Sequence, residues 1–181
     1  MARFEIISKE VRGSVVYDFG SLGDTGDSAL HHFLQKAHPG KRIIGVDIKP
    51  DAEIQHDLNK PFPKEWEKAD TAVAGEVIEH LLHPFSFLKE CHELLKPGGK
   101  LIITTPNASA LNKILLSDEK LDPHHYYCWT RAQLRRIVLL AGFNVEKESM
   151  LNLWRRRWFV LKLFVGLFPK FSGEIFLVCR K

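Results

Sequence analysis

Short apolar runs rich in branched side chains recur along the chain: SVVYDF at 14–19, RIIGVDI at 42–48, TAVAG at 71–75, KLIITTP at 100–106, FNVEKES at 143–149 and EIFLVCRK at 174–181. Between several of them the apolar spacing changes to that of a helix. DSALHHFLQKAHPG has a capping aspartate, Asp27, at its start and Pro39-Gly40 at its end. FSFLKECHELLKPGG puts Phe87, Leu88, Cys91, Leu94 and Leu95 on one face and runs into Pro97-Gly98-Gly99, and TRAQLRRIVLLAGF opens at Thr130 and closes at Gly142. Buried-type strands alternating with amphipathic helices predict an α/β sheet covered on both faces. The last two runs flank an irregular stretch and predict an antiparallel hairpin at the sheet edge.

The length of 181 residues suits one domain spanning 1–181, and 45% hydrophobic with 27% charged residues is the balance of a chain that builds a core. The first residues, MARFEIISKEVRG, carry no signal-type apolar stretch, and Cys91, Cys128 and Cys179 are odd in number and widely spaced. Together these predict reduced thiols and a cytoplasmic protein. A net charge of +4 is too mild to argue for nucleic acid as a partner. No Cys/His spacing has the form of a closed metal site, so no metal is expected.

In open α/β sheets, ligands bind beyond the carboxyl ends of the strands. Four such ends carry polar or glycine-rich sequence: Asp18 to Gly26, Asp47, Asp57 and Glu76. The first, VVYDFGSLGDTG, is not a dinucleotide loop. It has Asp18 two residues before Gly20 and Leu22 where GxGxxG needs glycine, and a carboxylate there would repel a pyrophosphate but attract an ammonium group. Asp47, ending IIGVD, stands where an acid can take the two hydroxyls of a ribose, and Asp57 in IQHDL can accept from an exocyclic amine. A cation, a ribose and an adenine in that order describe S-adenosylmethionine better than NAD.

The block AVAGEVIEHLLHPFSFLKECHELLKPGGKLIITTPN, 72–107, closely resembles class I S-adenosylmethionine-dependent methyltransferases of the small-molecule O-methyltransferase branch that includes ubiquinone-biosynthesis enzymes. HHYYCWTRAQLRRIVLLAGF, 124–143, resembles the same branch. The resemblance implies a Rossmann-like three-layer sandwich whose seven-stranded, mostly parallel sheet has the order 3-2-1-4-5-7-6, with strand 7 antiparallel. It implies that Asp18, Gly20, Ser21 and Gly23 surround the methionine part of the cofactor, that Asp47 and Ile48 border the ribose, that Asp57 and Leu58 border the adenine, and that Glu76 and Val77 lie beside the methionine. The family loop reads DxGxGxG; here Leu22 replaces a glycine, and Gly23 and Gly26 fall in a longer turn. An alternative reading follows from that residue: a methyltransferase-like binding or scaffold domain without activity.

Methyl transfer to a hydroxyl benefits from a base, and His124, His80 and His125 are the candidates, in that order. His80 falls one helical turn after Glu76, whereas His124 and His125 precede the helix at 130. LNLWRRRWFVLKLFVGLFPKF, 151–171, is too short and too charged to span a bilayer. It suits a lid over the acceptor crevice, and equally an interfacial contact or a site for an anionic, lipid-linked acceptor.

Overall fold

The computed structural model describes residues 2–23, 29–110, 124–151, 170 and 172–181. Five strands run parallel: β1 (Val15–Phe19), β2 (Arg42–Asp47), β3 (Ile54–Gln55), β4 (Ala69–Gly75) and β5 (Leu95–Pro106). β7 (Glu174–Arg180) inserts antiparallel between β5 and β6 (Asn144–Leu151), which completes the order β3-β2-β1-β4-β5-β7-β6. The predicted topology and terminal hairpin are therefore both present.

β1 is buried at every position, as expected of a strand with helices on both faces. Its alternation sorts the two layers. Val16 joins Ile7, Val11 and Leu34 under helices α1 (Ala2–Glu10) and α2 (Ala29–Ala37). Tyr17 and Phe19 join Phe87, Leu88 and Cys91 of α3 (Pro84–Leu94) and Leu134 and Val138 of α4 (Arg131–Leu140). The same period places Asp18 on the α2 side.

Local signals explain the ends. Thr130 accepts from the Gln133 backbone N–H and Gln133 reaches back to the Thr130 N–H, a reciprocal cap at the start of α4. α3 gives way to β5 at Leu95, which pairs with Ala69, and the next paired residue, Lys100, meets Thr71. Pro97-Gly98-Gly99 is thus looped out of the ladder, with Gly98 at φ +77. Asp27, the predicted cap of α2, Gly26 and all of the Arg/Trp-rich segment 151–171 except Leu151 and Lys170 lie outside the described residues. Among the described residues no helix is long and apolar enough to cross a membrane.

Candidate functional site

A cavity of about 540 Å³ opens at the carboxyl ends of β1, β2 and β4. It gathers Gly20, Ser21, Gly23, Asp47, Ile48, Asp57, Leu58, Glu76, Val77 and His80, most of the residues anticipated from the sequence, along with Arg3, Phe4, Lys49 and Asn59. Asp18, His124 and His125 are not among the lining residues.

The loop after β1 is a tight turn. Gly20 and Ser21 donate to the Val46 carbonyl at 2.8 and 3.3 Å, and the Gly23 N–H returns to the Gly20 carbonyl at 3.2 Å. Gly20 has φ +69, and a Cβ there would stand 2.7 Å from Val77 Cγ2, so any side chain would be strained and would displace Val77. Leu22, half-buried, does not line the cavity; its backbone N–H donates to Asp47 Oδ2 at 3.0 Å. Leu22, the departure from the family loop, is therefore not among the residues that line the cavity. The second Asp47 oxygen accepts from Lys49 N at 3.1 Å, and Lys49 Nζ bonds the Gly23 carbonyl. Asp47 therefore braces the loop from one side while facing the cavity.

Asp18 is 1% exposed and lies behind this wall. Its Oδ2 is 3.1 Å from His31 Nδ1, and Gln35 Nε2 donates to His31 Nε2 at 2.9 Å, so Nδ1 carries the proton and donates to Asp18. A residue at position 45 with a Cβ would meet His31 Cε1 at 3.0 Å and Ser21 Oγ at 2.9 Å, which explains Gly45. Burial pushes the Asp18 carboxyl up, with His31 opposing. An ammonium group in the cavity would meet Glu76 before it met Asp18.

Glu76 has φ +59, the only non-glycine residue with positive φ among those described, and its N–H donates to the Thr104 carbonyl at 3.0 Å. Its carboxylate stands 3.5 Å from Arg3 Nη1, which is also 3.6 Å from Glu174. Glu79 is buried and accepts from Thr105 Oγ1 at 2.9 Å. Burial raises all three carboxyls; Arg3 opposes at Glu76 and Glu174, and the Glu76 charge adds to the rise at Glu79 and Glu174. One oxygen each of Asp18, Glu76, Glu79 and Glu174 has no hydrogen-bond partner.

Residues 124–127 form a strap across the turn at Ile78–His80. Tyr126 and Tyr127 both donate their N–H groups to the Glu79 carbonyl, at 2.9 and 3.2 Å, and His80 Nδ1 lies 3.0 Å from the His124 carbonyl. A carbonyl only accepts, so Nδ1 holds the hydrogen and Nε2 of the neutral ring keeps its lone pair. The His125 ring packs edge-on against His80 with centroids 4.6 Å apart. Ligand atoms of Glu79, His80 and His125 all lie within 4.8 Å of one another, a grouping that could hold a metal ion. Spacing along the chain could not reveal it, because His125 arrives on a different segment.

Sequence reading also missed Arg3, Phe4 and Asn59. Asn59 holds Asp57 Oδ1 through its backbone and side-chain amides at 3.0 and 3.2 Å and accepts from Leu82 N at 2.7 Å, joining the loop after β3 to the turn after His80. Arg3 and Phe4 arrive on α1, whose tip is held by Phe4 against Phe33, ring centroids 5.8 Å apart. An arginine in a charged amphipathic helix carries no signal of its destination.

This sheet order, with a polar cavity at the carboxyl ends and an acid closing the second strand, is that of an open α/β domain whose ligands bind beyond the strand ends. Residues 7–148 match the family model described as a methyltransferase domain, and the chain belongs to that family. It is 32% identical over 124 residues to a probable S-adenosylmethionine-dependent methyltransferase of Mycolicibacterium smegmatis, a match covering 61% of this chain and 46% of that protein. It is 33% identical to a ubiquinone biosynthesis O-methyltransferase of Xanthomonas euvesicatoria over 86% of this chain and 74% of that one. Among solved structures, an S-adenosylmethionine-dependent methyltransferase from Archaeoglobus fulgidus superposes with a TM-score of 0.70 at 19% identity, covering 99% of this chain and 92% of that chain, which shows the shared fold. The chain thus spans about half of the first of these relatives and most of the second. S-adenosylmethionine is the methyl donor of this class of enzyme.

Proposed function

We propose that this domain transfers the methyl group of S-adenosylmethionine to a hydroxyl oxygen of a small-molecule acceptor, with His80 as the base. The observation that carries this reading is the bond from His80 Nδ1 to the His124 carbonyl at the cavity edge, because it leaves the Nε2 lone pair as the proton acceptor. The similarity to an enzyme named for O-methylation supports oxygen as the target.

The cavity fits the cofactor on its own chemistry: an exposed Ile48 for an apolar face, Asp47 for hydroxyls, Asp57 with Leu58 for adenine, and a Glu76 oxygen without a partner. Arg3 would take the methionine carboxylate and Glu76 its ammonium group. When bound, the cofactor supplies an electrophilic methyl on a sulfonium sulfur. Transfer forms the bond from acceptor oxygen to methyl carbon and leaves the electrons of the broken C–S bond on sulfur. His80 Nε2 takes the hydroxyl proton, and the His124 carbonyl holds the ring in the tautomer that can do so. Much of the remaining rate comes from alignment of oxygen and methyl.

Calorimetric titration with S-adenosylmethionine and S-adenosylhomocysteine tests the cofactor, and no binding at millimolar concentration overturns the reading. A panel of small hydroxylated aromatics, assayed with and without a chelator, then tests the acceptor. Loss of activity with chelator would make His80 a metal ligand instead of the base. Flotation with anionic liposomes tests the expectation that residues 151–171 bring the domain to a lipid-linked acceptor.

A further inference from the structure

Glu174 has no place in the chemistry above, yet it is one of the most buried acids among the described residues, its side chain 5% exposed at the first position of β7. Taking a carboxyl group out of water is costly unless a partner repays it. The strand pairs it with Pro106 on one side and Leu151 on the other, neither of which offers a charge. Its cationic partner is Arg3, 3.6 Å away on α1 at the opposite end of the chain, an ion pair that leaves Oε1 without a hydrogen bond, and the charge of Glu76 acts on the same carboxyl. Arg3 in turn lines the cavity and stands 3.5 Å from Glu76.

We propose that Glu174 is a positioning residue for the methionine end of the cofactor, acting through Arg3; this rests on the reading that Arg3 binds the methionine carboxylate. An arginine at a helix tip has many rotamers, and ordering them on binding costs affinity. Two carboxyls, one from β4's end and one from β7, hold the guanidinium at the cavity wall before ligand arrives. Both contacts use Nη1, and a guanidinium has five N–H donors, so this pairing does not exhaust it. Glu76 itself faces the cavity and is the group an incoming ammonium would draw away from Arg3. Glu174, behind it and shielded from ligand, keeps Arg3 in place when that happens. The device also links the seventh strand to a cofactor site built otherwise on β1, β2 and β4.

The test compares S-adenosylhomocysteine with 5′-methylthioadenosine, which shares the thioadenosine but lacks the amino-acid end. Titrations are run on the whole chain and on Glu174→Gln, Arg3→Ala and the double variant, with thermal unfolding recorded for each. The expected result is a roughly tenfold weaker S-adenosylhomocysteine affinity for Glu174→Gln, an unchanged 5′-methylthioadenosine affinity, and no further loss when the substitution is added to Arg3→Ala. Glu174→Asp, which keeps the charge on a shorter stem, should lose less. If Glu174→Gln does not fold, Glu174→Asp carries the same ligand comparison. Equal weakening for both ligands, an unchanged S-adenosylhomocysteine affinity, or a full additional loss in the Arg3→Ala background overturns the proposal. An Arg3→Ala variant that binds S-adenosylhomocysteine normally overturns the underlying assignment of Arg3, a separately visible outcome.

Discussion

The two ends of the parallel sheet both carry carboxylates, and they treat them in opposite ways. At the amino end, Asp70 on β4 accepts from the backbone N–H groups of Ser14 and Val15 at 2.9 Å each and pairs with Lys96 at 2.8 Å. These partners outweigh partial burial and hold its carboxyl down at about 2. At the carboxyl end, Asp18, Glu76, Glu79 and Glu174 are all pushed up by burial, and Glu76 sits in a left-handed backbone conformation. One end uses a charge to tie strands together. The other keeps polar groups short of partners, a state that costs stability and that a ligand can relieve.

Asp47→Ala should have the largest effect on the ligand end. Each Asp47 oxygen already accepts a backbone N–H from Leu22 or Lys49, so the substitution removes the proposed ribose acceptor and two loop braces together. With charged hydrogen bonds contributing about 1.5–3 kcal/mol each, calorimetry should find S-adenosylhomocysteine bound at least about 100-fold more weakly. Unchanged affinity would remove Asp47 from the site.

His80→Ala should lower kcat by about 10²–10⁴-fold with cofactor affinity intact, the range for loss of a general base. His124→Ala keeps the carbonyl that His80 uses and should change kcat by less than about threefold. The reverse ranking in single-turnover assays would return the base to His124.

Glu76→Gly should separate stability from function. Relief of a left-handed non-glycine backbone contributes about 1 kcal/mol, so Tm should rise by a few degrees while S-adenosylhomocysteine binds more weakly. A fall in Tm would show that the strain is not stored there.

Asp70→Asn should do the opposite: a lower Tm by about 1 kcal/mol of lost charged hydrogen bonding, with cofactor affinity unchanged. Its folded carboxyl lies below the ordinary value of 3.8, so its contribution is present above about pH 4 and lost as pH falls toward about 2. The acid-induced drop in Tm over that window should be smaller in the variant. An identical drop would assign the acid sensitivity to other carboxyls.

The strand and helix pattern was legible because burial on two faces writes itself as branched apolar runs, and caps and glycines mark the ends. β3 shows least in the sequence: its two residues, Ile54 and Gln55, pair with Val46 and Asp47 of β2 but form no apolar run, so that only its end at Asp57 was read. Asp47, Gly20 and Asp57 were legible because they sit at strand ends, where topology sends ligands. Asp18 was read as facing the cofactor, but alternation turns it toward α2, where His31 receives it. Leu22 stood out as a departure from the family loop, and the spacing alone did not show that its N–H binds Asp47 and that it stays out of the cavity lining.

By itself the sequence determined the α/β class, the sheet order through family resemblance, and the acids at the strand ends, since period, caps and turn chemistry are properties of neighbouring residues. Only the tertiary structure decided that Arg3 meets Glu76 and Glu174, that His80 and not His124 faces the cavity, and that His125 stands beside Glu79. Those meetings depend on how α1, β7 and the strap at 124–127 pack across the carboxyl end of the sheet. Packing of that kind is set by the whole core at once, and no local stretch of the chain encodes it.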